Sequence, residues 1–144
     1  MIPALRARFS LAPHFSLLGY VEANFARRRD LGEFDDERGE GFGGGLGLRA
    51  FLRPDHVGWH GGARVDVFYL PIRFTDEVEG GPDITGETET VVVQPSVHAG
   101  YTFDFDGNLL ELTLAFGREI NVVENGPPVG EDFILLWGLA FALE

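Results

Sequence analysis

Arg6, Arg8, Glu22, Arg49, His60, Arg64, Asp66, His98, Glu111 and Glu119 are the residues of this chain best equipped for chemistry, and they recur at alternate positions of otherwise apolar or glycine-rich segments. Charges of both signs beside two histidines can neutralise one another as buried ion pairs, or they can relay protons or solutes along a channel. An unpaired buried charge is costly, so the paired network is the expectation. Ser96 and His98 stand two residues apart, on one face of any strand, and resemble a hydrolase nucleophile and base. A triad also needs a carboxylate to orient the imidazole. The strand pairing derived below sets His98 opposite Ala115 and Ser96 opposite Gly117, so no such group is supplied and catalysis is not expected. His14 and His56 fall in turns far apart in sequence, and no metal site or cofactor is expected. The run Gly41–Gly47 is not a phosphate loop, because no Lys-Ser/Thr follows and no helix opens there. The acidic residues Asp35, Asp36, Glu37 and Glu40, with Asp76, Glu77, Glu79 and Asp83, lack calcium-loop spacing and read as solvated loops rather than a Ca²⁺ site.

The elements that must position these residues are strands. From Val91 to Phe103 every odd residue is apolar: Val91, Val93, Pro95, Val97, Ala99, Tyr101 and Phe103. After Asp106-Gly107 the apolar set moves to even numbers, Leu110, Leu112, Leu114 and Phe116. Period-two runs on either side of Asp-Gly are a hairpin signal. A two-residue turn there pairs residues whose numbers sum to 213, so Phe103 faces Leu110, Tyr101 faces Leu112 and Val97 faces Phe116. The same alternation marks Leu5–Leu11, Phe15–Phe25, Phe42–Arg53, Gly58–Phe74 and Phe133–Leu143, giving seven strands. A three-residue turn at 12–14 and a four-residue turn at 54–57 keep apolar residues beside apolar ones, with Leu48 next to Ala63. The other connections are longer loops, at 27–40, 75–88 and 122–131.

The chain of 144 residues reads as a single domain, 1–144. A net charge of −12 excludes a nucleic-acid partner, since no basic stripe is present to displace phosphate counterions. No apolar run reaches the roughly 18 residues of a membrane helix, whereas the apolar strand faces have the 9–11 residues with which a tilted strand crosses a bilayer. The face opposite them is Gly, Ser, Thr, Ala, His and scattered charges, with little Lys or Glu. A soluble sheet turns its apolar face inward, whereas a membrane barrel shows an apolar band to lipid and keeps a polar interior. The second arrangement is the expectation, with Trp59, Tyr69, Tyr101, Phe103, Phe116, Trp137 and Phe141 facing lipid or forming aromatic girdles. Short turns at one end and longer loops at the other fit it.

The segments Gly45–Pro54 (GLGLRAFLRP) and His98–Ile120 (HAGYTFDFDGNLLELTLAFGREI) resemble the small outer-membrane β-barrel proteins of the OmpA/OmpX-like sort, and the pattern extends over nearly the whole chain. The resemblance implies an all-β, antiparallel, up-and-down transmembrane barrel, eight-stranded by design with seven strands visible, the further strand expected before Met1. It implies an outer-membrane location, a lipid bilayer and lipopolysaccharide as surroundings, and the barrel-insertion machinery as a partner. That machinery reads a terminal aromatic with apolar residues at alternate positions before it. Phe141 after Leu139, Trp137, Leu135 and Phe133 matches, and Ala142-Leu143-Glu144 departs from it. Met1-Ile2-Pro3-Ala4 carries no signal peptide, so such a protein is seen here without its leader. The expected role is structural or interactive, through the loops of a monomer with a filled lumen. Two alternatives stand beside it. One is a soluble barrel with Leu110, Leu112, Leu114 and Phe116 pointing inward around an apolar ligand. The other is a lipid-modifying enzyme with a catalytic pair at the rim.

Overall fold

The computed structural model describes residues 4–29, 34–78 and 80–142, and they form one antiparallel sheet. Its strands are β1 (Ala4–Ala12), β2 (Phe15–Arg29), β3 (Asp36–Phe51), β4 (Gly58–Asp76), β5 (Ile84–Phe105), β6 (Asn108–Arg118), β7 (Ile120–Asn125) and β8 (Phe133–Ala142). Sequence neighbours pair from β1 through β6, β8 pairs with β6, and β7 pairs with β5. The seven-strand reading becomes eight because β6 and β7 are one crossing broken at Glu119, whose N–H bonds instead to the Asp132 carbonyl at 2.9 Å. The register carries across the break, Ser96↔Gly117 on β6 and Val93↔Ile120 on β7 each summing to 213, before it shifts by one residue between Val92 and Val91. The sheet is not closed, since β1 and β8 each have a partner on one side only. Strands β1, β3, β5 and β8 run from the end bearing the longer loops (the loop end) to the end bearing the tight turns (the turn end).

At the turn end, Asp106 and Gly107 have φ of 54° and 90°, the doubly positive pair that a type I′ turn requires, and Asp104 Oδ1 accepts from the Gly107 N–H at 2.9 Å. The turn expected at 12–14 is instead the pair Pro13-His14, because β1 runs on to Ala12 through a register shift after Ser10. The 54–57 turn pairs as expected, with Leu48 opposite Ala63 and Leu52 N–H bonded to the Trp59 carbonyl. At the loop end the strands outrun their expected limits. Most of the 27–40 segment is hairpin, with Arg27 opposite Arg38 and Arg29 opposite Asp36. Its charges hide the alternation there. The expected strand residue Leu143 lies outside the described residues.

Alternate residues of this single sheet are almost wholly buried although no second layer covers them, so the sheet curls around its own interior. Among the described residues, nine buried side chains are hydrophobic and sixteen are polar or charged. The outer face carries the large apolar residues, with Leu5 80% exposed, Leu135 70% and Trp137 82%. Glycines make the tight interior possible. On β3, Gly39, Gly41, Gly43, Gly45 and Gly47 face inward against Ile72, Leu70, Phe68, Asp66 and Arg64 of β4, and a Cβ on Gly43 would stand 2.5 Å from the Phe68 ring.

Candidate functional site

The interior has two halves. Toward the turn end lies an ionic network that draws on five strands, β1, β2, β3, β4 and β6. Arg49 of β3 donates from Nη1 to Glu111 Oε2 at 2.5 Å and from Nη2 to Oε1 at 2.9 Å. Arg6 of β1 reaches the same Oε1 at 2.6 Å, and the Thr113 hydroxyl donates to it at 3.0 Å. One layer nearer the loop end, Arg64 donates from Nε to Asp66 Oδ2 at 2.6 Å and from Nη2 to both oxygens of Glu22 at 2.7 and 2.9 Å. Its guanidinium carbon stands 4.2 Å from the Tyr20 ring centroid. Arg6, Arg49 and Arg64 thus offset Glu22, Asp66 and Glu111, three charges against three. A bidentate guanidinium–carboxylate pair is the geometry that best recovers the cost of removing both ions from water.

His60 and His98 stand with ring centroids 6.2 Å apart, and each leans over the glycine opposite it on the neighbouring strand, His60 over Gly100 and His98 over Gly62. Among the described residues, neither ring nitrogen of either histidine has a hydrogen-bond partner, nor do the hydroxyls of Ser16 and Thr102. Ser96 and His98 are both buried and lie opposite Gly117 and Ala115, so no carboxylate orients His98. Glu119 accepts from Gln94 Nε2 at 2.8 Å. Arg8 shares the inner face of β1 with Arg6.

The loop-end half holds an apolar cluster that the alternation reading did not anticipate, packed among the buried polar residues Asn24, Glu37, Thr88 and Thr90. Leu70, Ile72, Val92 and Val129 form a buried cluster, Phe34 packs against it, and Phe34 and Phe74 stack with centroids 3.9 Å apart. Val129 comes from loop 126–132, which turns inward over the interior and is pinned there. Thr88 donates to the Pro127 carbonyl at 2.8 Å, Asn121 Nδ2 to the Val129 carbonyl at 3.1 Å, and Asn121 N–H to Glu131 at 2.6 Å. The available signal was Gly126-Pro127-Pro128, a stiff approach that presents one apolar residue inside an acidic loop. His56 was also missed. It adopts φ of 60°, and its ring stacks on the Phe51 ring at 4.5 Å, closing the floor of the interior at the turn end. No sequence pattern announces a left-handed histidine.

On the outer face, Trp59 and Tyr101 meet edge to face at 5.2 Å, and Tyr101 and Phe103 lie 4.6 Å apart. With Leu112, Leu114 and Trp137 they flank a shallow apolar groove of about 520 Å³. Phe141 lies further toward the turn end, opposite Leu110. Phe116 stacks with Phe133 at 5.6 Å, and Tyr69 sits beside Phe42 in the loop-end half. All seven expected lipid-facing residues are therefore on the outer face. Leu112, Leu114 and Phe116 are exposed and Leu110 half-buried on that face, so the sheet does not adopt the inward orientation that an apolar ligand pocket requires. No protein-family model, curated protein or solved structure matches the chain.

Proposed function

We propose that this sheet is the wall of a transmembrane β-barrel in an outer membrane, with its interior filled by side chains and its contacts with other molecules made through the loops, without catalysis. One observation carries the reading: the outer face holds the large apolar residues while the interior holds Arg49, Glu111, Asp66, Glu22, His60 and His98. In water each exposed Leu or Phe forgoes about 1.5–3 kcal/mol of burial, whereas in lipid that surface is matched by its solvent. The interior supports a sealed barrel more than a pore, because ion pairs occupy one half and Val129 with its cluster occupies the other. The acidic loops fit a surface that meets cations and lipopolysaccharide. The reading is tested by extracting the expressed protein with and without detergent, then comparing unheated and boiled samples by gel. Detergent dependence with heat-modifiable mobility is the expected result. A monodisperse, detergent-free monomer would sink it.

A further inference from the structure

Strands β1 and β8 both run from the loop end to the turn end, and among the described residues each leaves one backbone edge unpaired. Their outward residues, Leu5, Phe9 and Leu11 on one and Phe133, Leu135, Trp137, Leu139 and Phe141 on the other, belong to the same exposed apolar band. Strand β8 carries no charge and no proline along Phe133–Ala142, so nothing protects that edge. In hydrocarbon each unsatisfied N–H or C=O costs several kcal/mol, and open edges do not persist there. The two edges cannot satisfy each other in the antiparallel pattern of the rest of the sheet, because they run the same way. A second copy does not help either. Copies inserted in one orientation all present edges of this same sense.

Resting on the membrane reading above, we infer that the opening between β1 and β8 is a docking slot for one extended peptide strand running from the turn end to the loop end, antiparallel to both edges, with apolar residues at alternate, outward positions. The interior geometry agrees. Arg49 reaches Glu111 Oε1 at 2.9 Å from three strands away (β3, β4, β5, β6), and Arg6 reaches the same oxygen at 2.6 Å from the other side. Around that side, β6-β8-β1 is two strand steps as the sheet stands and three with one strand inserted. Two arginines of equal length then span equal arcs.

The test uses the chain in detergent and a synthetic peptide with the sequence of Phe15–Phe25, part of the turn-to-loop strand β2, against a control of the same composition with its alternation scrambled. The expected result is protection of the Ala4–Ala12 and Phe133–Ala142 amides from hydrogen exchange by the peptide and not by the control. A cysteine at the peptide's C-terminus should cross-link to Ala4→Cys at the loop end and not to Leu11→Cys at the turn end. Edges left unprotected by the peptide would overturn the inference, as would a direct cross-link between Ala4→Cys and Phe133→Cys, or dimers joined through these strands. A chain that dissolves without detergent overturns the membrane reading itself, so the two failures are distinct.

Discussion

The two halves of the interior occupy the same kind of space with different chemistry, an ion-pair network in one and an apolar cluster flanked by Glu37, Thr88 and Thr90 in the other. Along β3 the inward positions are glycine from Gly39 to Gly47, and along β4 the residues that fill the room run Arg64, Asp66, Phe68, Leu70 and Ile72. Nothing in the backbone changes between Asp66 and Phe68; only the side chains do. The ionic half draws its partners from β1, β2, β3, β4 and β6, and its ion pairs bridge β1 to β6, β3 to β6 and β4 to β2, strands that do not pair with each other. The apolar half is assembled mainly from β4, β5 and an inward loop. The first therefore fixes how the sheet curls, and the second stops its upper mouth.

Breaking the ionic half should cost most. Glu111→Gln removes the charge that Arg6 and Arg49 share, turns one acceptor oxygen into an N–H donor facing a guanidinium, and leaves the 2%-exposed Arg49 without its carboxylate. Loss of one partner of a buried pair costs about 3–5 kcal/mol, read as the shift in a denaturant unfolding curve in detergent. Replacing all three members of the triad, Arg6→Met and Arg49→Met with Glu111→Leu, should recover most of that loss, because hydrocarbon of similar volume is tolerated where a lone charge is not. A Glu111→Gln cost below about 1 kcal/mol would mean that water reaches the network, and the contrast between the halves would fail.

The glycine device should cost the same in both halves. A Cβ at Gly45 would stand 1.9 Å from Asp66 Oδ1, and one at Gly43 would stand 2.2 Å from the Val67 carbonyl oxygen. Each alanine substitution should destabilise by about 1–3 kcal/mol as overpacking, measured the same way. Indifference at one position alone would show that the halves are not packed by one principle. Val129→Ala should cost less, about 1.5 kcal/mol for two buried carbons. It should open no conductance in a planar bilayer, because the ion pairs beneath still fill the interior. A current through Val129→Ala would make the loop the only seal.

The sequence disclosed the sheet better than its filling. Alternation settled which face of each strand is apolar, and Asp106-Gly107 set the central register, because a pleated strand obeys parity and a two-residue turn leaves no slack. The inward charges were legible for the same reason. The apolar plug was not. Leu70, Ile72 and Phe74 alternate with Tyr69, Pro71 and Arg73, so both faces look mixed, and only the loop that excludes water makes an apolar interior favourable there. The 27–40 segment read as irregular because its rungs are charged on both faces. Pairings such as Arg6 with Glu111 span 105 residues and depend on curvature that no local pattern encodes.

The smallest effect belongs to the turn end, outside both halves. In the Leu52–Val57 turn, the Val57 N–H donates to Asp55 at 3.1 Å and Arg53 bonds the other carboxylate oxygen. Those contacts, the Val57 N–H first, hold the exposed Asp55 carboxyl below its ordinary 3.8. A carboxyl depressed in the folded state contributes stability that is fully present above its unfolded value and is lost as pH falls through the folded one. Asp55→Asn should therefore leave the unfolding curve nearly unchanged in shape, and slightly shifted, at neutral pH. Its difference from the native chain should vanish in strong acid, below both values. A pair of unfolding curves, one at neutral pH and one in acid, checks this. If Asp55→Asn instead weakened the protein as much as Glu111→Gln, the turn that carries His56 under Phe51 would be as much a part of the interior's closure as the ion pairs above it.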